Sequence, residues 1–219
     1  VVAPARKREM AGFVIPTFEV AFKYRNPTMI LSDGVIGQMM EKVVLPPYKP
    51  RRTEEEIRQQ CPWATIGRTR DRQPNIITSL ELKPEVMEER NIHLQKKYEE
   101  IRKNEVRYET VMCDDADYII VAFGSAARIA QKSIETAREQ GIKVGLFRPI
   151  TLWPFPTEQI AQLAHGKKGV LVAEINAGQM VEDVKLSVNG DVPVEYFGRL
   201  GGIVPDPDEI VNALKSKLM

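Results

Sequence analysis

Residues 117–174 read DYIIVAFGSAARIAQKSIETAREQGIKVGLFRPITLWPFPTEQIAQLAHGKKGVLVAE, and this stretch decides the fold. Short apolar runs at residues 118–123 and 170–172 alternate with helix-length segments whose apolar residues recur at helical spacing. This alternation predicts a β-α-β-α-β unit. Because the two runs are almost continuously hydrophobic, we expect helices to cover both faces of their strands, as in a parallel central sheet. The predicted fold class is α/β.

The first turn of this unit, Gly124-Ser125-Ala126, ends a strand and opens a helix that stops at Gly141. The apolar face of that helix comprises Ile129, Ala130, Ile134 and Ala137. Small residues at such a turn let the backbone N–H groups of a helix N-terminus approach an anion. A tight turn that merely needs small residues explains the same letters, and neither GxGxxG nor GxxxxGK[ST] is present. The turn by itself therefore names no ligand.

The composition is that of an ordinary globular protein: 219 residues, of which 43% are hydrophobic and 28% charged, suit one large or two small domains. The 31 basic and 30 acidic residues are well mixed and give a net charge of +1. This balance argues against a nucleic acid or an anionic membrane as partner. No apolar run approaches the roughly 20 residues that span a bilayer, and no signal segment opens the chain. We therefore expect a cytoplasmic protein.

The two cysteines, Cys61 and Cys113, are 52 positions apart and lack CxxC spacing, so a zinc or four-thiolate iron–sulfur site is not expected on this chain. Any redox centre is expected on another chain. The two histidines, His93 in a charged segment and His165 beside a glycine, are expected at the surface. No metal-binding residue is predicted.

The chain begins at Val1 without a methionine, and we expect it to be part of a longer protein. A helix is predicted near the start, with a kink or turn at Pro16; its apolar residues are Met10, Phe13, Val14, Thr17, Phe18 and Ala21. Residues 28–31 are predicted to form a buried strand. Residues 1–45 would then be only a β-α-β fragment, whose apolar faces need a partner chain or more sheet. An oligomer is therefore expected.

Two polar clusters follow predicted strands. In the first, Asp33-Gly34 is a turn pattern, and Gly37-Gln38 places bare backbone and an amide nearby. The second, residues 176–179, reads NAGQ and follows the strand that ends at Glu174. A ligand or interface at the carboxyl ends of strands explains both clusters, and so do turn-forming glycines with capping amides.

The remaining segments predict a connector and a second helix-rich stretch. Residues 46–115 are proline-rich, then charged, and predict an arm with a helix between residues 84 and 108; the arm is expected to wrap a neighbouring surface through Trp63, Ile66, Ile76, Ile77 and Leu80. Residues 180–188 predict a helix and residues 192–197 a fourth strand of the sheet. Asp206, Pro207 and Glu209 predict a capped final helix.

Read together, these segments resemble the α subunit of 2-oxoacid:ferredoxin oxidoreductases, and within that family most of all the 2-oxoisovalerate (3-methyl-2-oxobutanoate) enzyme. The motifs that carry the resemblance occur in family order over nearly the whole chain: KYRNPTMILSDGVIGQMME, CPWATIG, NIITSLEL, LWPFP, EINAGQM, GRLGG and PDPDEI. The resemblance covers only the later part of such a subunit.

The resemblance implies that residues 1–45 end a thiamine-diphosphate pyrimidine-binding domain, that residues 46–115 connect, and that residues 116–219 form a transketolase C-terminal-like domain. It also implies that the first half of the pyrimidine domain, which carries the family's cofactor-activating glutamate, precedes these residues. No catalytic residue is therefore assigned here. Asp33, Gly34, Gly37 and Gln38 are expected to line the cofactor-side interface. Contacts with a neighbouring domain or subunit are expected at Asn176, Gly178 and Gln179.

The implied chemistry is oxidative decarboxylation of a branched-chain 2-oxoacid to an acyl-coenzyme A, with electrons passing through iron–sulfur clusters to ferredoxin. Thiamine diphosphate and Mg²⁺ would be shared with a companion subunit, and the clusters would lie on other subunits. A second hypothesis makes this chain a purely structural assembly module that contacts no cofactor. A third, an independent nucleotide-binding protein, is disfavoured because Gly124-Ser125-Ala126 lacks an extended glycine pattern and a nearby lysine.

Overall fold

The computed structural model describes residues 1–65, 67, 70 and 73–219. The described residues before 105 form helices joined by extended segments, and later residues alternate strand and helix. In chain order, the described elements are α1 (Lys7–Gly12), α2 (Val14–Tyr24), α3 (Gly34–Gln38), α4 (Glu54–Gln60), α5 (Pro84–Asn104), β1 (Tyr108–Val111), β2 (Tyr118–Val121), α6 (Gly124–Glu139), β3 (Val144–Pro149), α7 (Thr157–Ala164), β4 (Gly169–Glu174), α8 (Met180–Val188), β5 (Val194–Gly198) and α9 (Pro207–Leu218).

The strands form one sheet in the order β1-β3-β2-β4-β5. Strand β2 lies between β3 and β4 and is parallel to both, with Ile120 opposite Leu146 on one side and Leu171 on the other. Strand β5 is parallel to β4, whereas β1 is an antiparallel edge strand on β3. The predicted β-α-β-α-β unit and its parallel central sheet are confirmed.

Helices cover both faces of this sheet. On one face α6 and α9 pack over Ile120, with Ile134 and Ile210 in the same apolar cluster. On the other face α7 and α8 pack over the neighbouring residue Ile119. Successive side chains of a strand point to opposite faces, so a strand covered twice must be apolar throughout. All residues of β2, β3 and β4 are buried, and for β2 and β4 the continuous apolar runs predicted this.

The predicted ends of the sheet's helices are also confirmed. Helix α6 ends before Gly141, which has a φ of +79° that favours glycine. At α9, the side chain of Asp206 accepts a hydrogen bond from the Asp208 N–H at 2.9 Å, and Glu209 accepts one from the Asp206 N–H at 3.0 Å. This capping box fixes the start of α9 where the sequence predicted it.

The N-terminal prediction needs correction. The helix breaks at Phe13, between α1 and α2, and not at Pro16, which lies in the first turn of α2, where a missing N–H breaks no helical hydrogen bond. Residues 28–31 do not form the predicted buried strand. A parallel bridge joins Val2 to Ile30 and an antiparallel bridge joins Val2 to Thr151, so the predicted β-α-β fragment is present only as isolated bridges.

The connector differs from its prediction at two places. Helix α5 ends at Asn104, and the residues from Tyr108 onward form β1, because pairing with the distant β3 outweighs the local helical pattern. Most of the apolar connector residues do not pack on the chain, since Ile76, Ile77 and Leu80 are between 69% and 83% exposed. Trp63, in contrast, stacks on Phe22 of α2 at 5.9 Å between ring centroids. Ile66 lies outside the described residues.

A buried arginine ties the N-terminal helices to the sheet. Arg148 of β3 is 3% exposed and donates to both carboxylate oxygens of Glu9 in α1, at 2.9 and 2.5 Å. It also donates to Glu109 of β1 at 2.8 Å. Burial raises the pKa of Glu9, but the Arg148 and Ala5 hydrogen bonds and the nearby positive charges together hold that pKa below its ordinary value. Glu9 is therefore a carboxylate at neutral pH.

A second polar junction joins α2 to the end of α5. Glu105 is 8% exposed and accepts hydrogen bonds at 2.8 Å from Lys23 Nζ and from the Tyr24 hydroxyl. Arg107 lies 3.7 Å away. Burial raises the pKa of Glu105, but these partners outweigh it and leave the pKa lowered. The carboxylate is thus satisfied, as a buried charge must be.

The structure agrees with the expected placement of the histidines. His93 and His165 are exposed, and His165 lies 2.9 Å from Asp191. Cys61 and Cys113 are buried free thiols. Within the part of the chain that the structure describes, no helix is long and apolar enough to cross a membrane. Strand β1 joins the sheet from before residue 116, and the domain limits 1–45, 46–115 and 116–219 stay predictions.

Candidate functional site

A cleft of about 230 Å³ lies at the carboxyl edge of the parallel sheet. The chain leaves β2 through α6 toward β3 on one side, and then returns through α7 to β4 on the other side of β2. The loops after β2 and β4 therefore diverge, and such a switch point is where open α/β sheets bind ligands. The residues that line the cleft are Leu31, Ser32, Asp33, Phe123, Gly124, Ser125, Ala126, Glu174, Ile175, Asn176 and Gln179.

Asp33 joins the N-terminal segment to this edge. Its Oδ2 accepts a hydrogen bond from the Ser125 N–H, at the start of α6, at 2.8 Å. Its Oδ1 accepts one from the Ile36 N–H at 2.9 Å and so caps α3. A carboxylate is stabilised there by the positive end of the α6 dipole. The anion at this helix N-terminus is therefore the carboxylate of Asp33 in the same chain, and the small residues of the turn leave room for it.

The close approach of Asp33 explains the glycine at position 124. Gly124 has a φ of +60°, and a Cβ built on it would lie 2.8 Å from Asp33 Oδ2. Any larger residue would meet both the strained backbone conformation and the carboxylate. The sequence indicated that small residues were needed here, but only the structure shows that Asp33 is the reason.

Glu174, which the sequence analysis did not single out, caps the helix α8 on the other side of the cleft. It ends β4 and is 1% exposed. Its Oε1 accepts from the Val181 N–H at 3.0 Å, and its Oε2 accepts from the Met180 N–H and from Asn176 Nδ2, both at 2.9 Å. The first turn of α8 is thereby capped. The sequence did contain a signal for this role. A charged residue ends the apolar run GVLVAE, and a buried charge needs hydrogen-bond partners.

The predicted interface residues Asn176, Gly178 and Gln179 shape the loop between β4 and α8. Asn176 Oδ1 accepts a hydrogen bond from the Gly178 N–H at 2.7 Å, and Gly178 has a φ of +96°. The Tyr196 hydroxyl donates to the Asn176 carbonyl oxygen. Burial first, and then the negative charge of Glu174, raises the pKa of Tyr196. Asn176 and Gln179 line the cleft, while Gly178 only turns the backbone behind it.

The structure does not bring the residues predicted for the cofactor side together at the cleft. Of the four residues proposed for the cofactor side, only Asp33 lines the cleft. Gly34 and Gly37 lie in the short helix α3, and the Gly37 carbonyl oxygen accepts a hydrogen bond from Lys7 Nζ at 2.9 Å. Gln38 ends α3 and is exposed. Asp33 and Asn176, 143 positions apart in the numbering, thus share one cleft, whereas Asp33 and Gln38 do not.

The charges of the cleft do not fit a metal-held diphosphate. The Ser125 N–H of α6 and the Met180 and Val181 N–H groups of α8 are already bonded to Asp33 and Glu174. None of the described residues that line the cleft is lysine, arginine or histidine. Elsewhere in the described ranges, no three His, Cys, Asp or Glu side chains are grouped so that they could hold a metal ion. The phosphate end of a thiamine cofactor is therefore not assigned to this cleft.

Comparison with known proteins relates the later part of the chain to a recognised family. The family model for the pyruvate:ferredoxin oxidoreductase core domain II matches residues 116–210. The ketoisovalerate oxidoreductase subunit VorB of Methanothermobacter marburgensis is 42% identical over 98% of this chain and 59% of its own length. This chain is homologous to the subunits of the 2-oxoacid:ferredoxin oxidoreductase family. The resemblance noted from the sequence is confirmed.

More distant relatives agree. The 2-oxoglutarate synthase subunit KorA of Archaeoglobus fulgidus is 31% identical over 100% of this chain and 61% of its own length. A solved structure, the 2-oxoglutarate:ferredoxin oxidoreductase from Magnetococcus marinus with 2-oxoglutarate, coenzyme A and succinyl-CoA bound, matches with a TM-score of 0.53 and 20% identity. That match covers 64% of this chain and 24% of the solved chain, and it shows the fold alone. The chain spans about three fifths of the length of the curated relatives it matches.

Proposed function

We propose that this chain is part of the α subunit of a thiamine-diphosphate-dependent 2-oxoacid:ferredoxin oxidoreductase whose substrate is 2-oxoisovalerate. The observation that carries the proposal is the 42% identity with a ketoisovalerate oxidoreductase subunit over 98% of this chain. The reaction is oxidative decarboxylation to an acyl-coenzyme A, with ferredoxin as electron acceptor. Companion subunits and a cytoplasmic location belong to the same proposal.

In this proposal the chain supplies structure around a site whose chemistry is completed by other subunits. Thiamine, when bound, supplies the carbanion chemistry, while protein groups hold and orient it. With two buried cysteines, the chain does not have the ligands of a four-thiolate cluster. The iron–sulfur clusters are accordingly assigned to companion subunits, and the metal-held diphosphate to a companion subunit as well.

We further propose that Asp33 and the exposed side of α3, with Gly34, Gly37 and Gln38, face the cofactor side of the complex. Asn176, Gly178 and Gln179 would contact a neighbouring domain or subunit. The shared cleft of Asp33 and Asn176 supports a single surface that joins the two groups. Gly34, Gly37 and Gln38 are exposed, so the Gln38 amide is available to a partner there.

The activity test uses the complete α subunit that contains this sequence, assembled with its companion subunits. Reduction of methyl viologen is measured with coenzyme A and either 2-oxoisovalerate or 2-oxoglutarate. We expect kcat/KM for 2-oxoisovalerate to be higher by about ten-fold or more, a ratio that a pocket for an apolar side chain can provide. Equal or inverted preference would contradict the proposed substrate, and no 2-oxoacid-dependent reduction would contradict the proposed reaction.

The cofactor assignment is tested on the 219-residue chain alone. Calorimetry with thiamine diphosphate and Mg²⁺ is expected to show no saturable binding, and the viologen assay no turnover, until the companion subunits are added. Tight cofactor binding by the chain alone would overturn the assignment of the diphosphate to another subunit.

The alternative, an assembly module without cofactor contact, is separated by a substitution on α3. Gln38→Ala in the complex is expected to raise the KM for thiamine diphosphate and to leave subunit association unchanged. Exposed Glu99→Ala on α5 is the matched control. Weaker association at an unchanged cofactor KM would favour the assembly module instead.

A further inference from the structure

The cleft at the switch point has a surface that accepts hydrogen bonds. Asp33 Oδ1 and Oδ2 each accept one hydrogen bond from the protein. A carboxylate oxygen has room for about two, so each of these atoms keeps one free lone pair. Glu174 Oε1 likewise accepts one bond, from the Val181 N–H. Asp33 and Glu174 come from different parts of the chain, and both line the cleft.

A buried hydroxyl without a partner lies in the same place. Ser125 lines the cleft, is 3% exposed, and its Oγ has no hydrogen-bond partner. Native proteins leave few buried polar atoms unsatisfied, because the lost hydrogen bond costs about 1–3 kcal/mol. An orphan hydroxyl in a ligand-sized cleft indicates that something other than the protein completes it.

The local charge decides which chemistry would be bound. Two carboxylates, Asp33 and Glu174, face the cleft, and the described residues that line it include no cationic side chain. The Ser125 N–H at the start of α6 and the Met180 N–H at the start of α8 are already bonded to those carboxylates. A phosphate or a carboxylate would meet repulsion from both carboxylates, with only neutral donors such as the Ser125 hydroxyl and the Gln179 amide to bind it. A cation with N–H donors would meet free acceptors and a negative field.

We propose that this cleft binds a small cation that carries N–H donors on an apolar body, such as an amidinium or a primary ammonium group. The donors point to Asp33 and the Ser125 hydroxyl, and the apolar part packs on Leu31, Phe123 and Ile175, which complete the wall. The volume of about 230 Å³ lies below the roughly 300–1,000 Å³ of sites for drug-sized ligands, so a single-ring ligand fits. The inference does not rest on the proposed enzymatic function.

The test compares two probes of nearly the same shape and opposite charge, benzamidine and benzoate. The full 219-residue chain, labelled with ¹⁵N, is titrated with each probe and followed by amide chemical shifts. Benzamidine is expected to give saturable shifts at Gly124, Ser125 and Gln179, with a Kd at least about ten-fold below that of benzoate, because a hydrogen-bonded charge pair is worth that much. Equal affinities, or tighter benzoate binding, would overturn the proposal.

Two substitutions locate the binding. Ser125→Ala removes a hydroxyl that makes no hydrogen bond in the protein, so the fold is expected to persist while benzamidine binds about five-fold more weakly. Ser216→Ala, on α9, is the matched control and is expected to leave the Kd unchanged. An unchanged Kd in Ser125→Ala, or saturable shifts confined to residues outside the cleft, would refute the assignment.

The charge is tested separately. Asp33→Asn is expected to weaken benzamidine binding by about ten-fold and to reduce the preference over benzoate. Asp191→Asn, in the turn between α8 and β5 at the opposite edge of the sheet, removes the same charge at a distance and is expected to have no effect. Because the Asp33 substitution also weakens two caps, a thermal melt of each variant accompanies the titration. If the melt shows that Asp33→Asn is unfolded, the Ser125→Ala titration alone tests the proposal.

Discussion

The contact between Glu9 and Arg148 predicts how strongly the N-terminal helices are held to the sheet. Glu9→Ala would leave Arg148, which is 3% exposed, with Glu109 as its remaining acidic partner. Removal of one partner from a buried ion pair costs about 3–5 kcal/mol. Because Glu109 remains and the Glu9 side chain is itself 28% exposed, we expect a loss of about 2–3 kcal/mol in the free energy of unfolding.

The measurement is urea denaturation of the full chain at pH 7, followed by far-ultraviolet circular dichroism. Glu9→Gln keeps the shape but removes the charge, and is expected to lose about 1–2 kcal/mol, since a charge-assisted hydrogen bond is about twice as strong as a neutral one. Glu99→Gln, on the exposed side of α5, is the matched control and is expected to change stability by less than about 0.5 kcal/mol.

The pH dependence gives an independent check. The pKa of Glu9 in the folded chain is lowered from 4.5, so the folded state binds this proton less readily than the unfolded state. Its stabilising contribution is therefore complete above about pH 4.5 and is lost as the pH falls through the lowered value. The stability difference between the wild type and Glu9→Gln should shrink as the pH falls below 4.5.

Two results would refute this account. If Glu9→Ala lost no more stability at pH 7 than the Glu99→Gln control, the buried contact would not hold the segment. If the loss caused by Glu9→Gln stayed constant from pH 7 to pH 3, the carboxylate charge would not be its source.

Three further outcomes are expected. Gly145→Ala should destabilise the chain by about 1–3 kcal/mol, because its Cβ would lie 2.8 Å from backbone atoms of Cys113 and Met112. Gly12→Ala, whose Cβ would have no atom within 4 Å, should not destabilise the chain, and urea melts of the two variants check this difference. Because burial raises the pKa of the Cys113 thiol, a maleimide should react with it much more slowly in the folded chain than in urea, as mass spectrometry of the labelled site would show. Asp206→Ala should cost about 1 kcal/mol by removing the cap of α9, and a stability equal to the wild type would contradict the role of that cap.

The hydrophobic pattern of the sequence was sufficient to predict the α/β part of this protein. The runs 118–123 and 170–172 are apolar at every second and every intervening position, and only a strand covered on both faces needs that pattern. The α9 capping box was equally readable, because its partners lie within three residues of one another. Local chemistry and a short repeat were sufficient in both cases.

Contacts between distant parts of the chain determined the edge strand β1 and the cleft. The edge strand β1 carries a mixed pattern, and its antiparallel partner β3 lies further along the chain, beyond β2 and α6. The cleft has the same origin, since Asp33, Ser125 and Glu174 come from three separate parts of the chain. The sequence placed polar residues after strands, but it did not show that two carboxylates would occupy the helix N-termini there. That outcome depends on which loops the sheet order brings together, because a hydrogen bond at 2.8 Å is decided by tertiary position and not by residue type.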